Sequence, residues 1–486
     1  MRMALSSVTA MFAVTLGMGQ QPFGLDPSFI TNMEHTSVNS VLSLANGQVL
    51  ISGLLSFPLI GEERIARLNA NGTRDTSFPL NVPGGTKLTE WSGRIYTGRD
   101  GVVSRIMPDG QTDPDWDEMY DSPYFAALQG GDYHVFSDGR VLVSGGHILS
   151  DSIRGFEGYY NLVWFSNTGY LDTTRTHRTS DGVIYEIEEQ PDGKFLCSGV
   201  LTEYEGTAVG RIFRVHPDGA LDASFQTDFV WGEANDFHTL ADGRILAGGY
   251  LRRNGQQDSL CVVRLLPNGD VDPTFHLATF DASWTNNFAP YVLDVHPLAD
   301  GRILIAGVLD HVEGEIRGGI AMLGEDGVLL DDAFTGEGCG GFLYQGLYRR
   351  AIVGIVPAPD GSYYIHGAYH GYDDGTTNDT TQRLVSRLHG LDVGVAEQEA
   401  TAKPLLSLSP NPAATCVNIA YDLVTAPHGA GIVINETTGR QIWSSKLANT
   451  QGQIVVDTRA FVPGVYSVQL SNGGELLSTE LLVVKP

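Results

Sequence analysis

The sequence has few cysteines and few basic residues. Its four cysteines, Cys197, Cys261, Cys339 and Cys416, are irregularly spaced, which fits neither a zinc site nor a dense disulfide framework. We expect them to be small buried hydrophobic residues, or to form a single disulfide if the compartment is oxidising. The 57 acidic residues exceed the 30 basic ones and give a formal net charge of -27. A chain this acidic repels phosphate backbones and anionic lipid, so we predict no nucleic-acid partner.

Long hydrophobic runs are also missing. A membrane-spanning helix needs about 20 apolar residues, and the apolar stretch from Val8 to Met18 is shorter than that. Arg2 precedes this stretch, and the small residues Gly17 and Gly19 stand at a spacing that signal peptidase accepts. We therefore predict a cleaved signal peptide over residues 1–19, export through the periplasm, and no transmembrane segment.

Motifs of common enzyme classes are absent from the sequence. There is no Gly-x-Ser-x-Gly elbow, no phosphate loop, no dinucleotide fingerprint and no His-Glu-x-x-His. His366 and His370 are four apart, but they follow a predicted strand, so their side chains need not face the same way. The sequence therefore indicates no catalytic residue and no cofactor-binding residue.

Glycine, by contrast, is abundant, with 59 residues, and it marks an internal repeat. One element recurs seven times: a turn glycine, a basic or polar residue, and a short apolar strand that ends in small residues, as in DGRILIAG at 300–307. The turn glycines are Gly47, Gly93, Gly139, Gly193, Gly243, Gly301 and Gly361. Asn-Gly and Asp-Gly supply the positive φ that two-residue hairpin turns require, so each element predicts a hairpin.

A second element alternates with the first. It consists of a strand, a glycine turn, an aspartate, and an aromatic residue three positions after the aspartate. Clear copies are residues 67–78, 105–116, 214–225 and 264–275, and looser copies are 164–175 and 322–334. We expect the aspartate to cap its own turn and the aromatic residue to anchor the loop in the core. The strand after each hairpin turn is continuously apolar, which predicts burial on both faces.

Repeats of this length, with intervals of 46 to 60 residues and no helical periodicity, predict an all-β fold. In a β-propeller each repeat is one blade around a central axis, whereas a solenoid, the alternative, needs capping units at both ends. Residues 25–29 (LDPSF) precede the first hairpin by half a repeat, and the last copy, at 383–394, is degenerate. An N-terminal strand that completes the final blade would close the ring and leave no open edge. We expect seven blades, with six or eight as alternatives.

The pairing of these two elements resembles the delta-60 repeat, a bacterial β-propeller repeat. The resemblance covers about residues 23–392, and we assign residues 20–396 to the propeller domain. It implies a propeller and surface export, and it carries no catalytic residue to this chain.

The C-terminal part of the chain has a different character. Residues 397–404 are polar and lack the repeat, which indicates a linker. Residues 405–486 contain short alternating strands separated by turn signals, which predicts a small β-sandwich.

This segment resembles the type A sorting domain of the bacterial type IX secretion system. The matching residues are Pro410, Asn411, Pro412, Gly439, Arg440, Gly464, Val465, Tyr466 and Lys485. The resemblance implies recognition by an outer-membrane translocon and its sorting peptidase, removal of the domain, and release or attachment to surface lipopolysaccharide. It also implies a bacterium of the Bacteroidetes lineage. An accessory sandwich for binding or adhesion is the alternative.

The densest acidic cluster is a candidate metal site. Asp113, Asp115, Asp117 and Asp121 place carboxylates at the close spacing that Ca²⁺ prefers. Glu118 stands where an EF-hand loop needs glycine, and Asp113 is also the aspartate of the second repeat element. Ca²⁺ is the only cofactor that the sequence suggests.

Two functions remain open at this stage. The first is a non-enzymatic binding or adhesion protein, displayed on the cell surface or shed, whose long loops contact an extracellular glycan or protein. The second is a secreted hydrolase or lyase that acts on polysaccharide or protein at the central channel. An enzyme would need titratable side chains that converge at the axis. We expect small and apolar residues at the inner strand ends, which favours the binding protein.

Overall fold

The computed structural model describes residues 23–116, 119, 123–283, 289–390, 406–409, 411–423, 427, 429–436, 440–473 and 475–485. The predicted signal peptide (1–19) and linker (397–404) lie outside the described residues. The described residues fall into two compact units, which divide between Val393 and Gly394. Their only described helix is a 3-10 turn, Asp331–Ala333, and none of the described residues forms a helix that could cross a bilayer.

Seven antiparallel sheets build the described part of the first unit, and in each sheet the chain passes through three neighbouring strands in order, called here the first, second and third strand. In chain order they are Thr36–Ser43, Val49–Phe57 and Gly61–Leu68 (sheet 1); Leu88–Trp91, Arg94–Arg99 and Val102–Ile106 (sheet 2); Phe125–Val135, Val141–Asp151 and Phe156–Phe165 (sheet 3); Val183–Glu189, Phe195–Val200 and Ile212–Val215 (sheet 4); Phe229–Thr239, Ile245–Arg253 and Leu260–Leu265 (sheet 5); Tyr291–Pro297, Ile303–Val308 and Ile320–Leu323 (sheet 6); and Ala351–Pro357, Tyr363–Asp373 and Asn378–His389 (sheet 7).

Shorter strands either extend these sheets or form separate pairings within the connecting segments. Gly24–Leu25 and Gly338–Cys339 join sheet 7. The separate small pairings are Glu203–Tyr204 with Thr207–Ala208, Phe280–Asp281 with His311–Val312 and Glu315–Ile316, and Phe342–Tyr344 with Leu347–Arg349.

The seven sheets form a closed ring. Each sheet contacts the next one along the chain, and sheet 7 contacts sheet 1. Nearly every first strand touches the first strand of a neighbouring sheet, so the first strands lie nearest the axis. Buried clusters fill the spaces between sheets; Val41 and Ile51 of sheet 1, for example, share a cluster with Tyr364 and Val385 of sheet 7. The second strands are buried along their length, as their continuous apolar sequences predict.

The N-terminal strand completes the last sheet, as the sequence predicts. Gly24 pairs with His389 and Leu25 with Leu388. The Leu25 N–H also donates to Asp374 Oδ2 at 3.0 Å. The first described residues thereby cover the edge of the sheet formed by the last residues of the unit.

The hairpin turns differ in one respect from the two-residue turns expected from the sequence. In sheet 1 the Leu44 N–H donates to Gln48 O and the Gly47 N–H to Leu44 O, so three residues form the loop and only Gly47, at φ 80°, is left-handed. A type I turn followed by one left-handed residue explains this geometry. Sheet 2 alone has the expected two-residue turn, with positive φ at both Ser92 and Gly93.

The second repeat element forms a charged anchor, of which sheet 4 gives the pattern. Arg214 Nε donates to Asp222 Oδ2 at 2.8 Å, and the Ser224 N–H and hydroxyl both donate to Asp222 Oδ1. The Arg214 guanidinium lies 4.7 Å from the ring centroid of Phe225, which is buried. The same arginine–aspartate ion pair occurs in Arg67–Asp75, Arg105–Asp113 and Arg264–Asp272. The aspartate therefore caps its own turn, and the aromatic residue anchors the loop, as expected.

The second unit contains two antiparallel sheets. One consists of Leu406–Ser409, Cys416–Asp422 and Gln451–Asp457, and the other of Gln441–Lys446, Gly431–Glu436, Gly464–Asn472 and Glu475–Val484. Residues of both sheets, among them Ile419, Val456, Ile432, Val468 and Leu482, share one buried cluster. The apolar faces of the two sheets therefore exclude water together.

The four cysteines are unpaired. Cys197, Cys261 and Cys339 are buried, and burial raises the pKa of the Cys339 thiol to about 11. Cys416 is exposed, unlike the buried position expected for it. It begins a strand whose next residue, Val417, faces the core, so the alternation of side chains turns Cys416 outward.

Candidate functional site

The two ends of the ring are built differently. Where the first strands end, every connection is a tight glycine turn. In sheets 1, 4, 5 and 6 the turn glycine lies beside the turn that follows the third strand; Gly243, for instance, is next to Pro267. We call this end the turn face. At the opposite end, the connections from second to third strand vary from two residues (100–101) to eleven (201–211 and 309–319). We call that end the variable face.

The first strands carry a common irregularity close to the variable face. In six of the sheets formed by described residues, the pairing of the first and second strands is shifted by a bulge, for example between Ala234 and Asp236. The second strand has glycine at this point because the bulged backbone approaches closely: a Cβ on Gly249 would lie 2.2 Å from Glu233 O. The small strand ends seen in the sequence therefore belong to the second strands.

In these six sheets one residue of the first strand lies at or just after this irregularity and precedes a buried residue; in sheet 2, which has no bulge, the equivalent residue directly precedes the first strand. These axial positions are Ser40, Lys87, Asp132, Glu186, Asp236, Asp294 and Gly354. Five of the seven are titratable, so the expectation that small and apolar residues line the axis is wrong. It was drawn from the second strand, whereas the first strand is the innermost.

Axial carboxylates bind the backbone of the neighbouring sheet. The Val295 N–H donates to Asp236 Oδ2 at 2.7 Å, and the Ile355 N–H donates to Asp294 Oδ2 at the same distance. Ser40 plays the equivalent part in sheet 1, where its Oγ accepts from the Leu88 N–H at 3.1 Å. The axial polar residues therefore hold adjacent sheets together at the axis.

Lys87 is the cation of the axial positions. Its Nζ lies 2.8 Å from Asp132 Oδ2. The Lys87 side chain is 43% exposed. Burial acts to lower the pKa of Lys87, but the charges of Asp132 and Glu186 outweigh it and raise that pKa. Lys87 is therefore charged at any physiological pH.

Three axial acids, Glu186, Asp236 and Asp294, have pKa values above those of exposed carboxylic acids. Burial, followed by the charge of Asp132, raises the pKa of Glu186 well above its ordinary value. Burial and the charge of Asp294 do the same for Asp236, against the opposing Val295 N–H. Burial raises the pKa of Asp294 to about 7. Asp294 therefore has the pKa of a group that can donate or accept a proton near neutral pH.

A second layer lies two residues farther along the same strands. Since side chains alternate along a strand, Glu188, His134, His238 and His296 follow the axial positions on the same side. Burial raises the pKa of Glu188. Burial, assisted by the charge of Lys87, lowers the pKa of His134 to about 4. We call Lys87, Asp132, Glu186, Glu188, Asp236 and Asp294 the axial cluster.

The predicted calcium site is only partly described. Asp113 is fully buried, and its Oδ2 accepts from Arg105 Nε at 2.7 Å and from Arg94 Nε at 2.5 Å. Asp115 is exposed and lies 3.4 Å from Arg94. Asp117 and Asp121 lie outside the described residues. Within the ranges that the structure describes, no three His, Cys, Asp or Glu side chains stand close enough to hold a metal ion, and calcium binding stays a prediction.

The residues that carry the sorting-domain resemblance lie at several places in the second unit. Asn411 Nδ2 donates to Leu481 O at 2.7 Å, while the Val483 N–H donates to Asn411 Oδ1 at 2.9 Å. Arg440 is exposed and pairs with Glu436. Tyr466 is buried, and its hydroxyl donates to Val462 O at 2.5 Å.

The other residues of that resemblance are placed as follows. Pro412 follows Asn411 through a cis peptide bond, and Gly464 and Val465 begin a strand. The Lys485 N–H donates to Ala413 O at 2.8 Å. Pro410 and Gly439 lie outside the described residues. The described positions therefore combine structural residues, such as Asn411 and Tyr466, with an exposed one, Arg440.

In the sequence, each axial residue lies at a nearly constant distance from the turn glycine of its repeat. In six sheets the axial residue stands seven positions before the hairpin turn glycine, as Asp236 does before Gly243. In sheet 2, where the turn is one residue shorter, Lys87 stands six positions before Gly93. Counting back from the turn therefore identifies the axial residues, provided that the first strand is known to be innermost.

Models of known protein families match both units. The family described as "Domain of unknown function (DUF5122) beta-propeller" matches residues 61–78, 190–225 and 240–275. The family described as "Secretion system C-terminal sorting domain" matches residues 407–485. Both resemblances seen in the sequence are confirmed, as is the all-β propeller class. The sorting domain implies export by the type IX route to the cell surface or the medium. No protein with curated annotation matches the chain.

The solved structures that match this chain have low sequence identity to it. PorZ of Porphyromonas gingivalis, an essential bacterial surface component of the type IX secretion system, is 12% identical with a TM-score of 0.34; the match covers 91% of this chain and 64% of PorZ. The chain thus spans less than two thirds of the length of PorZ. A protein of unknown function from Bacteroides caccae is 15% identical (58% of this chain, 92% of that one, TM-score 0.33). YCF48 from Cyanidioschyzon merolae is 12% identical (76% and 99%, TM-score 0.32). At these TM-scores nothing about function follows.

Proposed function

We propose that this chain is an exported, non-enzymatic binding protein whose ligand contacts the variable face of the propeller. The division between the two faces carries this proposal. Tight glycine turns make the turn face uniform from sheet to sheet, whereas every long connection, including 201–211 and 309–319, reaches the variable face. Loops held on a rigid scaffold are the usual place for recognition because they can differ without disturbing the core.

The orientation of the immobilised protein tests this proposal. The full chain is coupled to a surface through a single cysteine, in a Cys416→Ser background that removes the exposed native thiol. Ala241→Cys attaches the protein by the turn face, and Gln256→Cys attaches it by the variable face, since both residues are exposed. The analytes are panels of glycans and of purified extracellular proteins.

We expect binding when the chain is attached through Ala241→Cys and a loss of binding when it is attached through Gln256→Cys. Equal binding in the two orientations, or binding only through the turn face, would contradict the proposal. Turnover of a bound polysaccharide or protein would replace it by an enzymatic function.

A hydrolase or lyase is a second candidate because titratable side chains do converge at the axis. Asp236 and Asp294 hold raised pKa values and interact electrostatically, which is how paired carboxyl groups come to serve as acid and base. Their hydrogen bonds to Val295 and Ile355 give them a structural role as well. An activity panel with Asp236→Asn and Asp294→Asn separates the roles: an enzyme would lose turnover in both variants, while a binding protein has none to lose.

A further inference from the structure

A row of three aromatic side chains crosses the variable face from sheet 5 to sheet 6. Trp231 and Tyr250 are near neighbours on the first two strands of sheet 5, and Tyr291 begins the first strand of sheet 6. The ring centroids of Trp231 and Tyr250 are 5.4 Å apart, and those of Tyr250 and Tyr291 are 6.1 Å apart. We call these three residues the aromatic row.

The aromatic row is accessible, and its polar atoms have no hydrogen-bond partner among the described residues. Trp231 is 43% exposed, and Tyr250 and Tyr291 are half-buried. Arg252 lies 4.5 Å from the Trp231 ring centroid. None of the three side chains donates a hydrogen bond to another described residue. The row therefore keeps exposed ring surface although Arg252 lies over Trp231.

Glu233 lies beside the row and is also unsatisfied. It pairs with Tyr250 across the two strands, and its Oε2 is buried without a hydrogen-bond partner among the described residues. Burial raises the pKa of Glu233, and the charge of Arg211 opposes this. Tyr185 of sheet 4 lies close enough for the charge of Glu233 to raise its pKa, in addition to the larger effect of burial. A buried acceptor without a partner is costly unless a ligand or water satisfies it.

We propose that the aromatic row and Glu233 form a binding site for a neutral glycan. This inference rests on the proposed function and names its ligand class. The apolar C–H face of a sugar ring packs on an aromatic ring, and the amphipathic side chains Trp and Tyr also offer donors to its hydroxyl groups. The three rings span two neighbouring sheets in steps of 5.4 and 6.1 Å, which suits a chain of sugar units rather than one small ligand.

The charges around the row favour a neutral ligand over a cation. Tilted aromatic rings beside a carboxylate also occur in sites for quaternary ammonium groups. Here, however, Arg252 already covers Trp231, Arg211 is near Glu233, and Arg349 acts on Tyr291, where it opposes the rise in pKa that burial causes. Arg211 already offsets the charge of Glu233, and two further guanidinium groups lie near the rings, so the row has no excess negative charge to attract a cationic ligand.

The test measures binding of the full chain to an array of neutral oligosaccharides, followed by titration with the soluble form of each bound glycan. Trp231→Ala and Tyr250→Ala each remove one ring, Tyr250→Phe removes only a hydroxyl group, and Glu233→Gln removes only the charge. Tyr170→Ala is the matched control, because Tyr170 is 62% exposed but belongs to a turn on the opposite face. Unfolding midpoints of all variants are measured in parallel.

We expect Trp231→Ala and Tyr250→Ala to weaken glycan binding at least tenfold, Tyr250→Phe and Glu233→Gln to weaken it a few-fold, and Tyr170→Ala to leave it unchanged. The absence of any bound glycan, or unchanged binding in both alanine variants, overturns the inference. Saturable binding of tetramethylammonium in place of glycans assigns the site to cations instead. If binding depends on immobilisation through the variable face but not on Trp231 or Tyr250, this inference fails while the proposed function stands.

Discussion

Asp26 and Arg387 are 361 residues apart in the chain, and Asp26 Oδ2 lies 3.3 Å from Arg387 Nη1. In four other repeats the arginine and aspartate of the same charged anchor are eight residues apart, as in Arg214 and Asp222. Ser28 donates to Asp26 Oδ1 through its N–H and its hydroxyl, as Ser224 does to Asp222. The N-terminal segment therefore supplies the aspartate element that the last repeat lacks in its own sequence.

The contribution of the Asp26–Arg387 pair to stability can be tested by mutation. Asp26→Asn removes the charge opposite Arg387 while the amide oxygen still accepts from Ser28. We expect the unfolding free energy of the propeller unit to fall by about 1.5–3 kcal/mol, the range for a hydrogen bond to a charged group. Asp75→Asn, which breaks the same pair within the first repeat, is the control, and both are measured by chemical denaturation. If only Asp75→Asn lowers the unfolding free energy, the pair formed by the terminal segment adds no stability.

The charged anchors should weaken in acid. Burial acts to raise the pKa of Asp272, but the hydrogen bonds from Thr274 and Arg264 outweigh it and lower that pKa to about 2. A carboxyl group with a lowered pKa stabilises the folded state above its unfolded pKa of about 4, and this contribution is lost as the pH falls towards 2. Asp272→Asn should therefore be destabilising at pH 7, about half as destabilising at pH 3, and nearly neutral only at pH 2 and below. The exposed Asp270→Asn serves as the control, and a difference independent of pH would contradict the argument.

The axial acids should respond to pH in the opposite direction. The pKa of Asp294 is raised to about 7, so its contribution to stability is complete below pH 4 and is lost as the pH rises through 7. Asp294→Asn cannot ionise, and its amide oxygen still accepts from the Ile355 N–H. We expect the variant to gain stability relative to the wild type between pH 5 and pH 8. Thermal unfolding at pH 5 and pH 8 measures this gain, and exposed Asp258→Asn is the control. If Asp294→Asn changes stability equally at the two pH values, Asp294 is already ionised at pH 5.

Two residues of the sorting domain should affect export for different reasons. Asn411→Ala removes two hydrogen bonds to the last strand, at Leu481 and Val483, and should lower both the stability of the second unit and the amount of exported protein. Arg440 is 73% exposed, and exposed ion pairs contribute only about 0–1 kcal/mol, so Arg440→Ala should leave stability nearly unchanged. If the export machinery contacts Arg440, export should still fall. Export is followed by immunoblotting of medium, surface and periplasm, and normal export of Arg440→Ala would show that its side chain is not recognised.

The sequence predicts the repeat architecture well because each repeat contains its own turn chemistry. Gly47 and its six counterparts all adopt positive φ, and Asp222 caps its turn as Asp-x-Ser-Phe suggests. The length of the turn was not predictable from Asp-Gly alone, since the same dipeptide fits two- and three-residue loops. The terminal strand was predictable because residues 25–29 had no partner within the first repeat.

The axial cluster was not predictable in the same way. The first strands read as short mixed segments, such as VIYEIEE at 183–189, and nothing local shows that they lie nearest the axis. Only the pairing between sheets places Lys87, Asp132 and Glu186 around one axis. The aromatic row has the same limitation, because Tyr250 and Tyr291 are 41 positions apart and come together only when sheets 5 and 6 pack.

The strand Gly24–Leu25 constrains the order in which the sheets of the propeller can fold. The first described strand of the unit is paired with residues 388 and 389, so it cannot take its place before the last strand of the unit has formed. Six sheets can assemble as the chain lengthens, but the seventh cannot be finished without both ends. A chain shortened at either end is therefore left with the same defect, an uncovered edge on the last sheet.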